Sequence, residues 1–292
     1  MVNIDTVAKM LFFATVRIEN HGANGTSVGT GFIVTATLED GSQCPMLVSN
    51  KHVVAGAQRL VAHFIPRKPE ANVPDLGQGL AVDLPTGPGT YIGHFDPAVD
   101  IAVMPLAPTL IPLVGKVFVQ ALPLSLLATE APSQFIDAIE EVTFVGYPNG
   151  YHDPQHLTPI ARRGVTATPI ELDYGGNPVF LIDGSVFGGS SGSPVFLFNR
   201  GTYASGPNEI TAGSRIVLVG IVAQTMMRYA QLPVFEDAAA TSHAKLAQEL
   251  NLGVAFNARA IKEAIEQMVT AAGRSLAAVA SGAAVPHPSP AP

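Results

Sequence analysis

The chain has 292 residues, and its 16 Lys and Arg against 23 Asp and Glu give a formal net charge of −7 at pH 7. This acidic balance excludes nucleic-acid binding and anionic-membrane binding as the main function, because both need a basic surface. Hydrophobic residues make up 47% of the chain, which excludes intrinsic disorder throughout. The 28 glycines and 24 prolines favour short strands joined by tight turns over a helical bundle.

Cysteine content and apolar runs indicate the compartment. Cys44 is the only cysteine, so no disulfide can form within the chain, and we expect a reducing, cytoplasmic location. The N-terminal segment lacks the basic region and small-residue cleavage site of a signal peptide. No apolar run approaches the roughly 20 residues of a membrane-spanning helix, so we expect no membrane association.

The first 110 residues predict a series of strands, because apolar and β-branched runs alternate with turn-rich segments. The predicted strands are residues 11–18, 30–37, 46–48, 59–65, 91–94 and 101–105. Residues 66–89, rich in Pro, Gly, Asp and Asn, predict a surface excursion.

The second half predicts another group of strands and one helix. Residues 107–140 mix helical and turn signals and predict the connection between the two halves. The predicted strands that follow are residues 142–147, 164–169, 179–183, 194–198 and 216–224. Asn257 is a candidate N-cap for an amphipathic helix over residues 258–270. The Ala- and Pro-rich residues 271–292 predict a disordered tail.

Three short segments contain residues suited to nucleophilic catalysis, although each alone has a simpler structural explanation. His52 follows an apolar strand in the sequence SNKHVV, where an isolated histidine is more often structural. Asp100 begins the apolar run DIAV, where a solvated turn acid is the default interpretation. The serines of GSSGSP, residues 189–194, suit an ordinary flexible turn equally well. Only the combination, in the order His, Asp, Ser, points to chemistry.

Together with GTGFIV at residues 29–34, these segments resemble the trypsin-like peptidases of the chymotrypsin fold. The resemblance runs from residue 11 to about residue 266. It implies an all-β fold of two antiparallel six-stranded β-barrels with a C-terminal helix, and an active site in the cleft between the barrels. It also implies a serine endopeptidase that hydrolyses protein or peptide substrates through an acyl-enzyme, without a metal or organic cofactor.

The resemblance assigns a role to each site residue. Ser191 is the expected nucleophile, His52 the general base and acid, and Asp100 the carboxylate that orients the imidazole. The backbone N–H groups of Gly189 and Ser191 are the expected oxyanion hole. The substrate pocket is expected to be formed by Ser185, Ala223, Gln224 and Thr225. Because Ser185 supplies no carboxylate for a buried Lys or Arg, we predict cleavage after small or medium uncharged residues.

The same resemblance predicts how the chain is divided. Residues 1–118 form the first barrel, which carries His52 and Asp100, and residues 119–256 form the connection and the second barrel, which carries Ser191. Residues 257–270 form the C-terminal helix. The chain lacks the disulfides and activation peptide of secreted digestive relatives, and residues 182–187 look more like the bacterial high-temperature-requirement proteases. Residues after 270 cannot supply the PDZ module typical of that branch.

Other interpretations stay open at this point. The segment GGSSG also fits G-x-S-x-G, the nucleophile elbow of α/β-hydrolases, with Ser190 as nucleophile. That family needs a helix after the serine, whereas residues 194–198 predict a strand. A metal site at His152 and His156 is disfavoured, because Pro154 opposes the helix that would align them. A catalytically silent peptide-binding relative, or an interaction module in a larger assembly, would carry the same motifs.

Overall fold

The computed structural model describes residues 4–69, 71–130, 135–236 and 240–278. The chain is mostly β, with an N-terminal sheet, a C-terminal closed barrel and a C-terminal helix. The predicted chymotrypsin-like fold class is therefore confirmed, with one difference in the strand count of the first lobe.

The N-terminal lobe contains nine strands. They are β1 (Thr15–Gly22), β2 (Gly25–Thr37), β3 (Gln43–Ser49), β4 (Ala57–Pro66), β5 (Leu80–Leu84), β6 (Ile92–Gly93), β7 (Ala102–Pro105), β8 (Val117–Phe118) and β9 (Leu122–Pro123). Seven of them lie in the order β5-β4-β1-β2-β3-β7-β6, while β8 pairs with β4 and β9 pairs in parallel with β2. Six strands were expected. The extra strands are β5, in the predicted surface excursion, and β8 and β9, in the predicted connection. Strands β8 and β9 have two residues each, too few to show a hydrophobic period.

The C-terminal lobe is a closed six-stranded barrel. Its strands are β10 (Glu141–Gly146), β11 (Ile160–Thr166), β12 (Val179–Asp183), β13 (Pro194–Gly206), β14 (Glu209–Glu236) and β15 (Ala240–Asn257). They close in the order β10-β11-β12-β15-β14-β13. Strands β14 and β15 form one long hairpin, paired from Gly220 with Asn257 to Glu236 with Ala240. The barrel has the six strands that the family resemblance implied, although the sequence pattern itself predicted five of them.

The described residues also contain four α-helices. They are α1 (Val7–Phe13), α2 (Lys51–Val54), α3 (Ala107–Leu110) and α4 (Ala258–Ala271). The sequence predicted α4 and its N-cap, and Asn257 indeed accepts a hydrogen bond from the Ala260 N–H at 3.2 Å. Within the described ranges no helix is long and apolar enough to cross a membrane.

Both lobes share one hydrophobic core, into which α4 packs its apolar face. This core joins Val34 and Val48 of the first lobe to Phe196 and Leu218 of the second, with Ile261 of α4 packed against them. Each lobe also has a hydrophobic core of its own. The shared core fixes how the two lobes are placed relative to one another, and thus the geometry of the cleft between them.

Part of the predicted disordered tail is ordered. The Ala277 N–H donates to the Thr37 carbonyl at 2.9 Å, and Leu276 pairs with Leu38 and packs on the shared core. Arg274 forms an ion pair with Asp40. Disorder is therefore wrong for this stretch, because one apolar side chain and one cation suffice to dock it. Residues 279–292 lie outside the described residues, and the division at residues 118 and 256 stays a prediction.

Candidate active site

His52 and Asp100 meet because their strands are neighbours in the sheet. His52 lies on α2, directly after β3, and Asp100 lies directly before β7, which pairs antiparallel with β3. The imidazole Nδ1 is hydrogen-bonded to the Asp100 carboxylate Oδ2. The other carboxylate oxygen, Oδ1, accepts from the backbone N–H of His52 at 3.1 Å. These two contacts hold the proton on Nδ1 and leave Nε2 as a proton acceptor.

Lys51 places a positive charge beside this pair. Its Nζ donates to the Asp96 carbonyl at 3.0 Å. Burial lowers the pKa of Lys51, and the negative charges of Asp100 and Asp96 oppose that effect. The Lys51 ammonium group thus lies beside the negative charges of Asp100 and Asp96.

Ser191 lies in the turn between β12 and β13 and shares a cavity of about 450 Å³ with His52 and Asp100. The Ser191 hydroxyl donates to the carbonyl of Ala223 at 2.9 Å rather than to His52. The structure thus brings all three predicted residues to one cavity. A rotation of the serine side chain is needed before its proton can pass to Nε2.

Two peptide groups near Ser191 are oriented by hydrogen bonds on their carbonyl side. The Gly188 carbonyl accepts from the Asn149 N–H at 2.5 Å, and the Ser190 carbonyl accepts from the Ser193 N–H at 3.0 Å. In a trans peptide the N–H of the next residue points the opposite way. Within the part of the chain that the structure describes, the N–H groups of Gly189 and Ser191 have no acceptor. Their role as an oxyanion hole stays a prediction.

Thr30 connects this turn to the first lobe. The sequence predicted it only as the first residue of an early strand. Its N–H donates to the Ser191 carbonyl at 2.8 Å, and its hydroxyl donates to the Gly189 carbonyl at 2.9 Å. The Tyr147 N–H donates to the same hydroxyl at 3.0 Å. Gly192 has φ +88°, and a Cβ there would overlap the Thr30 carbonyl oxygen. This close approach requires glycine at position 192.

The rival nucleophile, Ser190, lies in a different environment. Its side chain is buried, and its hydroxyl has no hydrogen-bond partner among the described groups. The chain continues into strand β13 rather than into a helix. The nucleophile-elbow interpretation is therefore wrong, because an α/β-hydrolase needs a strand-to-helix turn at this point.

The predicted pocket residues divide into two groups. Ala223, Gln224 and Thr225 line the cavity that holds Ser191, and the Thr225 hydroxyl donates to the Val186 carbonyl at 2.7 Å. Ser185 does not line this cavity, and its role in the substrate pocket stays a prediction. Val186 is buried in the barrel core, which turns the next side chain, Phe187, towards the cavity instead.

The remaining histidine candidates have local roles. His152 Nδ1 bonds to the Gly150 carbonyl at 2.9 Å, and His156 Nδ1 bonds to Asp153 at 3.0 Å. Hydrogen bonds from the His156 side chain and backbone lower the pKa of Asp153 to about 2. Among the described residues, no group of three His, Cys, Asp or Glu side chains could hold a metal ion.

One protein-family model matches the chain. The family model described as "Trypsin-like peptidase domain" matches residues 29–203, more than half of the chain. No curated protein matches the chain.

Several solved protease structures match the chain. A serine endoprotease from Yersinia pestis is 16% identical and has a TM-score of 0.49, with 93% of this chain and 70% of that chain covered. A thermostable serine protease from an extremophilic microorganism is 14% identical with a TM-score of 0.48, covering 87% of this chain and 95% of that chain. The active form of a protease from Mycobacterium tuberculosis is 15% identical with a TM-score of 0.45, covering 99% and 93%.

Proposed function

We propose that this chain, which belongs to the trypsin-like peptidase domain family and is a serine protease, is an endopeptidase with Ser191 as its nucleophile. His52 is the proposed general base and acid, and Asp100 the proposed orienting carboxylate. The observation that carries the proposal is the single cavity lined by all three side chains, with Nδ1 of His52 already bonded to Asp100.

The reaction follows from the proton positions. Ser191 Oγ attacks the scissile carbonyl carbon while its proton passes to His52 Nε2, and the carbonyl oxygen becomes an oxyanion. The N–H groups of Gly189 and Ser191 bind that oxyanion, each contributing roughly 3 kcal/mol. The imidazolium then protonates the leaving amine as the C–N bond breaks. The imidazole then takes a proton from a water molecule, which attacks the acyl carbon. The C–O bond to Ser191 breaks, and the imidazolium returns the proton to Ser191 Oγ.

The cavity wall supports specificity for uncharged side chains. Phe187, Ala223, Gln224, Thr225 and Met227 are all uncharged. The one carboxylate in the wall, Asp100, is already bonded to His52. A buried Lys or Arg of the substrate would therefore lack a counter-ion, at a cost of several kcal/mol.

We expect cleavage after residues such as Ala, Val, Leu or Thr, measured with a peptide library. A dominant preference for Lys or Arg immediately before the scissile bond would contradict this assignment of the pocket.

A catalytically silent peptide-binding relative is the second candidate. The observation that favours it is the hydrogen bond from Ser191 to Ala223, which takes the nucleophile away from the base. The free N–H groups of Gly189 and Ser191 favour the enzyme, because a silent site has no need of an unoccupied oxyanion hole.

A serine-directed fluorophosphonate separates these two candidates. We expect the probe to label the chain at Ser191, as mapped by peptide mass spectrometry. Ser191→Ala should abolish both labelling and peptidase activity with a nearly unchanged melting temperature, since a small hydroxyl contributes little to packing. Ser190→Ala, one residue away, is the matched control and should keep substantial activity. An unlabelled but folded wild type would favour the silent relative.

We also propose a cytoplasmic location, supported by the presence of a single cysteine. Cys44 is half-buried, and burial raises the pKa of its thiol, which keeps the reactive thiolate scarce. Activity is therefore expected to be the same with and without dithiothreitol. Loss of activity in the reductant would show that an intermolecular disulfide supports the active form.

A further inference from the structure

His94 is a buried histidine whose two ring nitrogens both have partners. Its side chain is only 2% exposed. Nδ1 accepts a hydrogen bond from the backbone N–H of Asp96 at 3.1 Å, and Nε2 bonds to Glu263 Oε2 at 3.0 Å. Because Nδ1 is an acceptor, the ring proton must lie on Nε2, which donates it to the carboxylate. The imidazole is therefore held in one tautomer and one orientation.

The partner on Nε2 belongs to the C-terminal helix. Glu263 lies on α4, and one turn later Gln267 donates from Nε2 to the carbonyl of Gly93 at 3.2 Å. Since residues four apart lie on the same helix face, the two side chains hold neighbouring residues of one chain segment. Helix α4 is itself fixed by the shared core of both lobes. It is a rigid support for this segment.

The segment that His94 anchors leads directly to Asp100. The His94 N–H donates to the Ile101 carbonyl at 2.9 Å, so the two ends of the loop are tied together. Inside the loop, the Asp96 carboxylate accepts from the Ala98 N–H at 2.9 Å, and the Asp96 carbonyl accepts from the Val99 N–H at 3.1 Å. A shift at His94 would therefore be passed on to Asp100 through a short loop that these hydrogen bonds stabilise.

We propose that His94 and Glu263 form a positioning pair that couples helix α4 to the loop carrying Asp100, and so holds that carboxylate against His52. This inference rests on the proposed function, in which Asp100 orients the imidazole. Asp100 is itself held by the Asn50 side chain, which donates to its carbonyl at 2.7 Å. The pair thus fixes the loop from the side of helix α4, and Asn50 fixes it from the side of the first lobe.

The test compares three variants on one helix. Glu263→Ala removes the acceptor, Glu263→Gln keeps an oxygen acceptor without the charge, and Glu266→Ala is the matched control at an exposed position that does not contact the loop. We expect Glu263→Ala to lower kcat by roughly tenfold to a hundredfold with little change in KM, because a misplacement of about 1 Å can cost about 10² in rate. Glu263→Gln and Glu266→Ala should stay close to wild type.

A spectroscopic readout separates positioning from general stability. We expect the proton that His52 Nδ1 shares with Asp100 to give a strongly downfield ¹H NMR signal. This signal can be measured without substrate, so it reports the geometry of the pair independently of catalytic activity. We expect Glu263→Ala to broaden or shift this signal and Glu266→Ala to leave it unchanged. An unchanged signal in Glu263→Ala overturns the proposal, even if kcat falls. Wild-type protein with the signal but no peptidase activity would instead refute the proposed function.

A second variant covers the case in which Glu263→Ala does not fold. His94→Gln retains a side-chain N–H for Glu263 but has no acceptor at the position of Nδ1, so the Asp96 N–H loses its partner. The same change in the His52 signal is expected, together with the same loss in kcat. Wild-type signal and wild-type kcat in this variant would also overturn the proposal.

Discussion

At the scale of single residues, the proposed oxyanion hole depends on the backbone of a residue outside the nucleophile turn. Asn149 lies in the turn after β10 with φ +49°, a left-handed conformation that asparagine tolerates better than most residues. From this conformation its backbone N–H reaches the Gly188 carbonyl. A Cβ at Gly189 would come within 2.8 Å of the Asn149 nitrogen, so glycine there permits the contact. The left-handed residue therefore orients the N–H of Gly189.

Two substitutions at position 149 test this dependence. Asn149→Gly keeps both the positive φ and the N–H, so we expect activity close to wild type. Asn149→Pro removes the donor and cannot adopt a positive φ, so kcat should fall by about 10² to 10³, the range seen when one oxyanion donor is lost. Steady-state kinetics at matched folded fraction, checked by thermal melting, provide the measurement. A fully active proline variant would show that Gly189 needs no such support.

The sequence indicated the site residues that lie in recognisable motifs and missed those that support the site through the backbone from elsewhere in the chain. His52, Asp100 and Ser191 lie in three short segments that are informative only in combination, in the order His, Asp, Ser. Thr30 and Asn149 contribute N–H groups to residues far away in the chain, and an N–H group has no sequence signature. The two glycines that flank Thr30 were the one available signal, because a Cβ at either position would clash with Val53 or Leu47.

At the scale of elements, residue propensities predicted the wrong secondary structure where a capping contact or strand pairing decides it. Residues 11–18 predicted one strand, but α1 occupies the first part, because Thr6 caps it by accepting from the Lys9 N–H at 3.3 Å. Strand β15 was not predicted at all. Its first part is rich in Ala, Leu, Lys, Gln and Glu, which are good helix formers. Pairing with β14 overrides that preference.

One buried ion pair ties the strand hairpin β13-β14 to the segment before β10. Arg215, with its side chain 2% exposed, donates to Glu140 Oε2 at 2.9 Å, to Asn199 Oδ1 at 2.8 Å and to the Phe135 carbonyl at 2.5 Å. Every branch of its guanidinium therefore has an acceptor. Breaking a buried pair on one side is costly because it leaves a buried charge without compensation.

We expect Glu140→Ala to lower the free energy of unfolding by about 3 kcal/mol or more, measured by urea denaturation. The matched control is Asp83→Ala, which breaks the pair of Arg59 and Asp83 on the surface, where the side chains are 59% and 64% exposed. That change should cost less than about 1 kcal/mol, since exposed pairs contribute little. Equal effects of the two variants would show that Arg215 finds water or another acceptor when Glu140 is absent.

At the scale of the whole molecule, the cleft depends on parts of the chain that are distant in sequence. Strands of both lobes and helix α4 contribute to the shared core, and α4 also contacts the Asp100 loop through Glu263 and Gln267. Thr30 joins the first lobe to the nucleophile turn of the second. The two halves of the site thus lie on different lobes, and the packing between those lobes sets their distance.

The segment after α4 extends this packing and yields the last prediction. A chain that ends at Ala278 keeps the contacts of Arg274 and Leu276, whereas a chain that ends at Ala272 loses both. Leu276 is partly buried, so its loss should cost about 1–2 kcal/mol, less than the 1.5–3 kcal/mol for full burial of a leucine. The melting temperature of the shorter chain should fall by roughly 2–4 °C for each kcal/mol of stability lost, and that of the longer chain should not change.

Point variants then identify which contact matters. Leu276→Ala should reproduce most of the loss, because the apolar contact is with the shared core, while Arg274→Ala should change the melting temperature little, because its ion pair with Asp40 is exposed. Truncation at Ala278 should behave as the full chain does, since residues 279–292 have no amphipathic pattern to bury. Equal melting temperatures for the two truncated chains would mean that the contact of Leu276 with Leu38 contributes nothing in solution.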